Sequence, residues 1–187
     1  QGLKKYGGDL AIGAFGIVNR LVFIVVMIVM GLNQGMQPIA GYNFGAKLYG
    51  RVNKVLRLTI IYATAVTTFG FLVGMLVPDL VVGIFTSDAE LTELSVTGLR
   101  ITVMFFPIIG FQMVTSNFFQ SIGMAGKAIF LSLTRQMLIL LPCLLVLPQF
   151  FGVAGVWYSM PVSDLLASLI ALVMLVCQFR KFRTSPL

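Results

Sequence analysis

LAIGAFGIVNRLVFIVVMIVMGLNQGMQPIA, residues 10–40, is apolar for longer than a soluble core helix needs, and Arg20 is its single charge. A transmembrane helix takes about 20 predominantly apolar residues. Four further runs reach that length, at 55–77, 99–119, 128–147 and 153–179. Hydrophobic residues make up 58% of the chain and charged residues 10%, against about 25% charged in soluble domains. The expected fold is therefore an all-α, polytopic transmembrane helix bundle of five spans.

The connections between runs alternate in charge. The first carries Lys47, Arg51, Lys54 and Arg57; the second carries Asp79, Asp88, Glu90 and Glu93. The third has Lys127, with Arg135 just inside the next span; the fourth has no charge, and the tail carries Arg180, Lys181 and Arg183. Short basic loops stay cytoplasmic, so the pattern predicts a multi-pass protein with its C-terminus inside. Lys4 and Lys5 then fall on the outer side, residue 1 is Gln, and no signal-peptide pattern follows. Together these predict that the segment is an internal outer loop of a longer protein.

The net charge of +7 does not point to nucleic acid. The basic residues sit at helix ends, where they meet anionic headgroups, and no nucleic-acid-binding motif accompanies them. Membrane lipid is the expected partner. Cys143 and Cys177 fall inside apolar spans and are expected as small core residues, not a disulfide. With no His, neither a zinc site nor an intramembrane enzyme has its usual groups, and no cofactor is expected.

Several local features carry expectations of their own. A continuous helix over 10–43 would reach ~50 Å, so it must protrude, tilt or break, with a kink expected at Asn33–Pro38. Gly31/Gly35, Gly41/Gly45 and Gly70/Gly74 are small-xxx-small pairs suited to close helix packing. Ser87-Asp88-Ala89-Glu90 fits a capping box ahead of the third span, and Pro107 with Gly110 predicts a bend near that span's middle. Gln112, Ser116 and Gln120 then form a polar stripe, flanked by Thr115 and Asn117. Unpartnered amides in hydrocarbon cost several kcal/mol, so this face should meet protein or water. Phe105, Phe106, Phe111, Phe118 and Phe119 surround the stripe, either as packing or as an aromatic wall for an organic cation.

Two charges stand at similar depth in spans that both enter from outside. Asp164 is about eleven residues (~16 Å) into the last span and Arg20 about ten into the first. They are expected either as a buried ion pair or with Asp164 as a titratable group lining a cavity or a water-filled vestibule. Pro161, three residues before Asp164, would open the backbone there. Arg135, close to the cytoplasmic side and able to snorkel, ranks as the weaker partner.

At Gly31-Leu-Asn-Gln-Gly-Met-Gln-Pro-Ile-Ala-Gly-Tyr-Asn-Phe-Gly-Ala46 the sequence resembles the multidrug and toxic compound extrusion (MATE) transporters. The resemblance is strongest to the bacterial branch with a QP-x-x-GYN-x-GA segment. It continues through Phe118–Lys127, Leu133–Gln136 with Pro142, and Gly155-Val-Trp157 to Pro161 and Asp164. It implies helices eight to twelve of a two-lobed transporter, residues 1–187 forming part of the C-terminal lobe, with the first lobe and the preceding helix absent. It further implies a bacterial inner-membrane antiporter that expels amphipathic organic cations in exchange for protons or sodium. One branch of the family holds sodium between acids of its seventh and tenth helices; the stretch matching the tenth, 99–119, has no acid. On this basis the expected cavity-lining residues are Gln34, Gln37, Gln112, Ser116, Asn117, Gln120 and Asp164, with Asp164 and Arg20 as the ion-coupling or ion-paired groups. The alternatives are a flippase of the same superfamily for a lipid-linked precursor, and a truncated membrane protein that transports nothing.

Overall fold

The computed structural model describes the backbone of residues 2–184 and the side chains of residues 9–180. The side chains of Lys4, Lys5, Lys181 and Arg183, on which part of the charge pattern rests, lie outside the described residues. Among the described residues all regular structure is helical: α1 (Gly2–Gly45), α2 (Tyr49–Leu76), the short α3 (Pro78–Gly83), α4 (Ala89–Val103), α5 (Phe106–Ser121), α6 (Ala125–Leu133), α7 (Leu141–Phe151) and α8 (Val153–Thr184). A π-helical segment, Thr134–Leu140, joins α6 to α7.

Among the described residues four stretches are long and apolar enough to cross a bilayer: Asp9–Gly45, Tyr49–Leu76, Ala125–Phe151 and Val153–Arg180. The fifth is a broken span, α4 and α5 meeting at 54°. The polarity is inside out relative to a soluble protein. Phe23, Phe69, Leu76, Phe150 and Val173 are exposed, whereas Asn33, Gln112, Ser159 and Asp164 are buried. That is the arrangement a hydrocarbon solvent selects, because lipid offers polar groups no partners. Several buried hydroxyls turn to their own helices: Thr67 donates to the Ala63 carbonyl, Thr102 to Gly98 and Ser159 to Gly155.

The helices outrun their apolar runs. α2 begins at Tyr49, so Arg51, Lys54 and Arg57 ride on its first turns, and the connection from α1 shrinks to residues 46–48. Lys47 adopts φ 58° there, and the Leu48 N–H donates to the Asn43 carbonyl at 2.9 Å, a helix ending where glycine is usual. α1 is not broken at Asn33–Pro38; it stays helical through Pro38 for 44 residues. The third span breaks at Met104–Phe105, ahead of the expected bend. Pro107 falls in the first turn of α5, where its missing N–H deprives no carbonyl of a bond. The expected capping box does not form: Asp88, not Ser87, is the N-cap, its Oδ1 accepting from the N–H of Leu91, which has no side-chain acceptor to return the bond.

α5 lies at the centre of the bundle, packed against α1, α2, α6 and α8. One core cluster, including Met36, Leu56, Phe118 and Leu131, fills the end next to the basic connections. A second, including Val18, Leu99, Phe106 and Trp157, fills the end next to the acidic loop. Met113 of α5 touches both. The α7–α8 pair closes through Gly155, where a Cβ would lie 2.4 Å from the Leu147 carbonyl carbon. Cys143 and Cys177 are free, and Cys177 is exposed on α8, so it is not the core residue expected.

Candidate functional site

The polar stripe on α5 splits. Gln112 is buried, with its Oε1 unpartnered. One turn on, the Ser116 hydroxyl lies 3.3 Å from that of Ser132 on α6. Asn117 donates to the Met113 carbonyl at 2.9 Å and accepts from Gln37 Nε2 at 3.2 Å, which ties α1 to α5. Gln112, Ser116, Asn117, Ser132, Arg135 and Gln136 surround a cavity of about 280 Å³. Gln120, a further turn along, is exposed at the end of α5 and lines neither this cavity nor the one beside it. Gln34 is likewise exposed on α1 and outside both.

The second cavity, of about 190 Å³, contains Asp164. Asn19, Thr67, Thr102 and Ser163 supply its other polar walls, and Phe106, Ile109 and Met160 are among its apolar ones. Both cavities share Met113 and Arg135. Arg135 therefore stands at their boundary, its Nε donating to Asp164 Oδ1 at 2.8 Å. The Asp164 side chain is 6% exposed and that of Arg135 34%. The carboxylate is the shielded partner, while the arginine side chain is half-buried.

This corrects the expected Arg20–Asp164 pair. Arg20 is exposed on α1 while its neighbour Asn19 lines the cavity; successive helical residues differ by about 100° in direction, so both cannot face it. Arg135 reaches Asp164 because the chain turns back at Gly152, setting the two on antiparallel neighbours, and because the helix is π-wound where Arg135 sits. At the end of that segment the Leu141 N–H donates to the Gln136 carbonyl, five residues back. Pro142 follows and has no N–H to offer the Leu138 carbonyl, which favours a locally altered register. In sequence, the available signals were an arginine inside an apolar run and a proline seven residues later.

The aromatic wall is mostly packing. Phe118 and Phe119 are fully buried in the core, and only Phe106 of the five lines a site cavity. The described cation–π contact is structural: Lys127 Nζ lies 5.3 Å from the Phe119 ring centre and donates to Gln178 of α8. Among the described residues, no three of Asp, Glu, Cys and His come together as a metal site would require.

A model of one transporter family, MatE, matches residues 3–145. The chain belongs to the MatE family. The multidrug export protein MepA of Staphylococcus aureus is 28% identical over 165 residues, which are 88% of this chain and 36% of that protein. Its Staphylococcus saprophyticus counterpart is 24% identical over a stretch of the same extent. A solved MATE multidrug transporter, DinF-BH, superposes with a TM-score of 0.85 at 37% identity, covering 98% of this chain and 41% of that one. A MATE transporter of the MOP superfamily in its outward-facing conformation gives a TM-score of 0.89 at 18% identity, a likeness of fold. This MatE chain thus spans about two fifths of the length of the relatives it matches. Those relatives are membrane transporters, and the chain has the helices of a multi-pass membrane protein.

Proposed function

We propose that this chain forms the second-lobe portion of a cation-coupled multidrug efflux antiporter in a bacterial inner membrane. On this reading its five spans correspond to helices eight to twelve, the partner lobe is a first half of the same protein, and the C-terminus is cytoplasmic. The observation that carries the proposal is the pair of adjoining cavities at membrane depth, divided by the Arg135–Asp164 contact. Alternating-access transporters hold cargo and coupling ion near the bilayer midplane. Together the cavities reach the lower end of the ~300–1,000 Å³ typical of small-molecule sites.

The chemistry follows from the one carboxylate among the lining residues. Asp164 has a single cationic partner, Arg135, and an incoming proton, sodium ion or organic cation competes with that partner. Binding one excludes another, which is the requirement for exchange. Gln112, Ser116 and Asn117 would orient cargo by hydrogen bonds, while Met113 and Met160 supply adaptable apolar contact. A flippase for a lipid-linked phosphate needs several cations in its cavity. Here Arg135 alone among the lining residues is cationic, and its charge is already countered.

The test is ethidium efflux from cells expressing the whole transporter, with proton and sodium gradients collapsed separately. Efflux that stops with one gradient supports the proposal and names the ion. Correct insertion without efflux contradicts it and leaves the flippase reading to be assayed with a lipid-linked precursor.

A further inference from the structure

A groove of about 670 Å³ lies between the start of α2 and the end of α8, away from the Asp164 cavities. Its chemistry is graded along the helices. Asn53, Arg57 and Arg180 line one part, and Ile60, Ile61 and Val176 continue it toward the middle of the bundle. On α2 the lining residues Asn53, Arg57, Ile60 and Ile61 recur at helical spacing, so a single face passes from polar to apolar. α2 has 28 residues where about 20 cross hydrocarbon, so its first turns stand at headgroup level. Tyr49, an aromatic suited to that interface, lines the mouth.

The charge is one-sided. Among the described residues no Asp or Glu lines the groove, and Lys47, Arg51 and Lys54 occupy the adjoining turns. The described loop acids, Asp79, Asp88, Glu90 and Glu93, all belong to the opposite end of α2. A headgroup lodged here meets cations and an amide, and its acyl chain meets isoleucine and valine.

We infer that this groove is a binding site for an anionic phospholipid of the surrounding leaflet, its phosphate held by Arg57, Arg180 and Asn53 and one acyl chain lying along Ile60, Ile61 and Val176. A zwitterionic lipid of the same chain length fits the apolar half but brings its own cation to the arginines. Basic pockets between transmembrane helices at this level recognise acidic headgroups.

The experiment is native mass spectrometry of the purified, delipidated whole transporter titrated with dioleoyl phosphatidylglycerol or dioleoyl phosphatidylcholine. The expected result is preferential phosphatidylglycerol binding, weakened about fivefold by Arg57→Gln and similarly by Arg180→Gln. Arg51→Gln, which removes an equal charge outside the groove, should change it less than about twofold. Both groove arginines are exposed on helix surfaces, and an unchanged melting temperature in detergent checks that each variant is folded. Four results would overturn the inference: equal binding of the two lipids, equal loss on Arg51→Gln, saturation by glycerol phosphate as readily as by the lipid, or no lipid retained because another helix of the protein fills the groove.

Discussion

Asp164 is tolerable at its depth because Arg135 stands 2.8 Å away, and each group answers for the cost of burying the other. Removing one partner of a buried pair costs about 3–5 kcal/mol, whereas replacing both by apolar groups is often neutral. Arg135 is one-third exposed, which places this pair at the lower end of that range. Arg135→Met alone should therefore destabilise the protein by about 3 kcal/mol by leaving a bare carboxylate. The Arg135→Met/Asp164→Leu double variant should recover most of the loss, as read by thermal unfolding in detergent. Arg20→Gln should leave stability within about 0.5 kcal/mol. Asp164 stood out in the sequence because a carboxylate in an apolar run needs an ionic partner or water. Its partner was not, because depth counted along the chain ranks Arg20 above Arg135 and ignores direction around the helix. The same blindness covers Gln34 and Gln120: a polar stripe shows which residues share a face, not how far along that face a cavity extends.

At the scale of elements, glycine spacing announced close packing without saying where. Of the three expected pairs, Gly70/Gly74 is the one at which both members are crowded: a Cβ would lie 2.9 Å from Val25 and 3.0 Å from Val103. Gly31 and Gly35 have no atom within 4 Å of that position, and of Gly41/Gly45 only Gly41 is close, to the Ser121 carbonyl at 2.9 Å. Among the described glycines the tightest side-chain contact fell outside the motif: a Cβ on Gly98 would lie 2.5 Å from the Trp157 ring. That ring is rigid, 2% exposed and packed near Phe15 at 5.7 Å, so it cannot step aside. Gly98→Ala should accordingly cost about 1–3 kcal/mol in detergent unfolding. Gly50→Ala, with open space at its Cβ, should be neutral or slightly stabilising through helix propensity. The π-helical segment was likewise not among the expectations, its signals in sequence being Arg135 and Pro142 alone. Hydrophobic periodicity reports which residues face lipid, and Arg135 in an apolar run perturbs that signal without revealing a change of register.

For the whole molecule, the order of spans was legible because hydrocarbon demands about 20 apolar residues whatever the packing. Helix ends were less so, since α2 and α8 continue through charged turns beyond the hydrocarbon. The charge alternation predicts a sidedness that labelling can check. In intact cells Ser87→Cys should react with a membrane-impermeant maleimide, and Ala46→Cys only after permeabilisation; the reverse pattern would invert the topology. The two core clusters meet at Met113, which also lines both cavities.

On the proposed function, this polar space is water-accessible and is occupied by cargo during transport. Ser132 lines the cavity from α6 and is exposed. In the whole transporter, Ser132→Cys, with Cys143 and Cys177 replaced by Ala, can be labelled by a small methanethiosulfonate with and without saturating ethidium. The expected result is ready labelling that slows about tenfold when ethidium binds, the protection given by a site at least nine-tenths occupied. A cysteine that never labels, or one that labels at the same rate with ethidium bound, would contradict it.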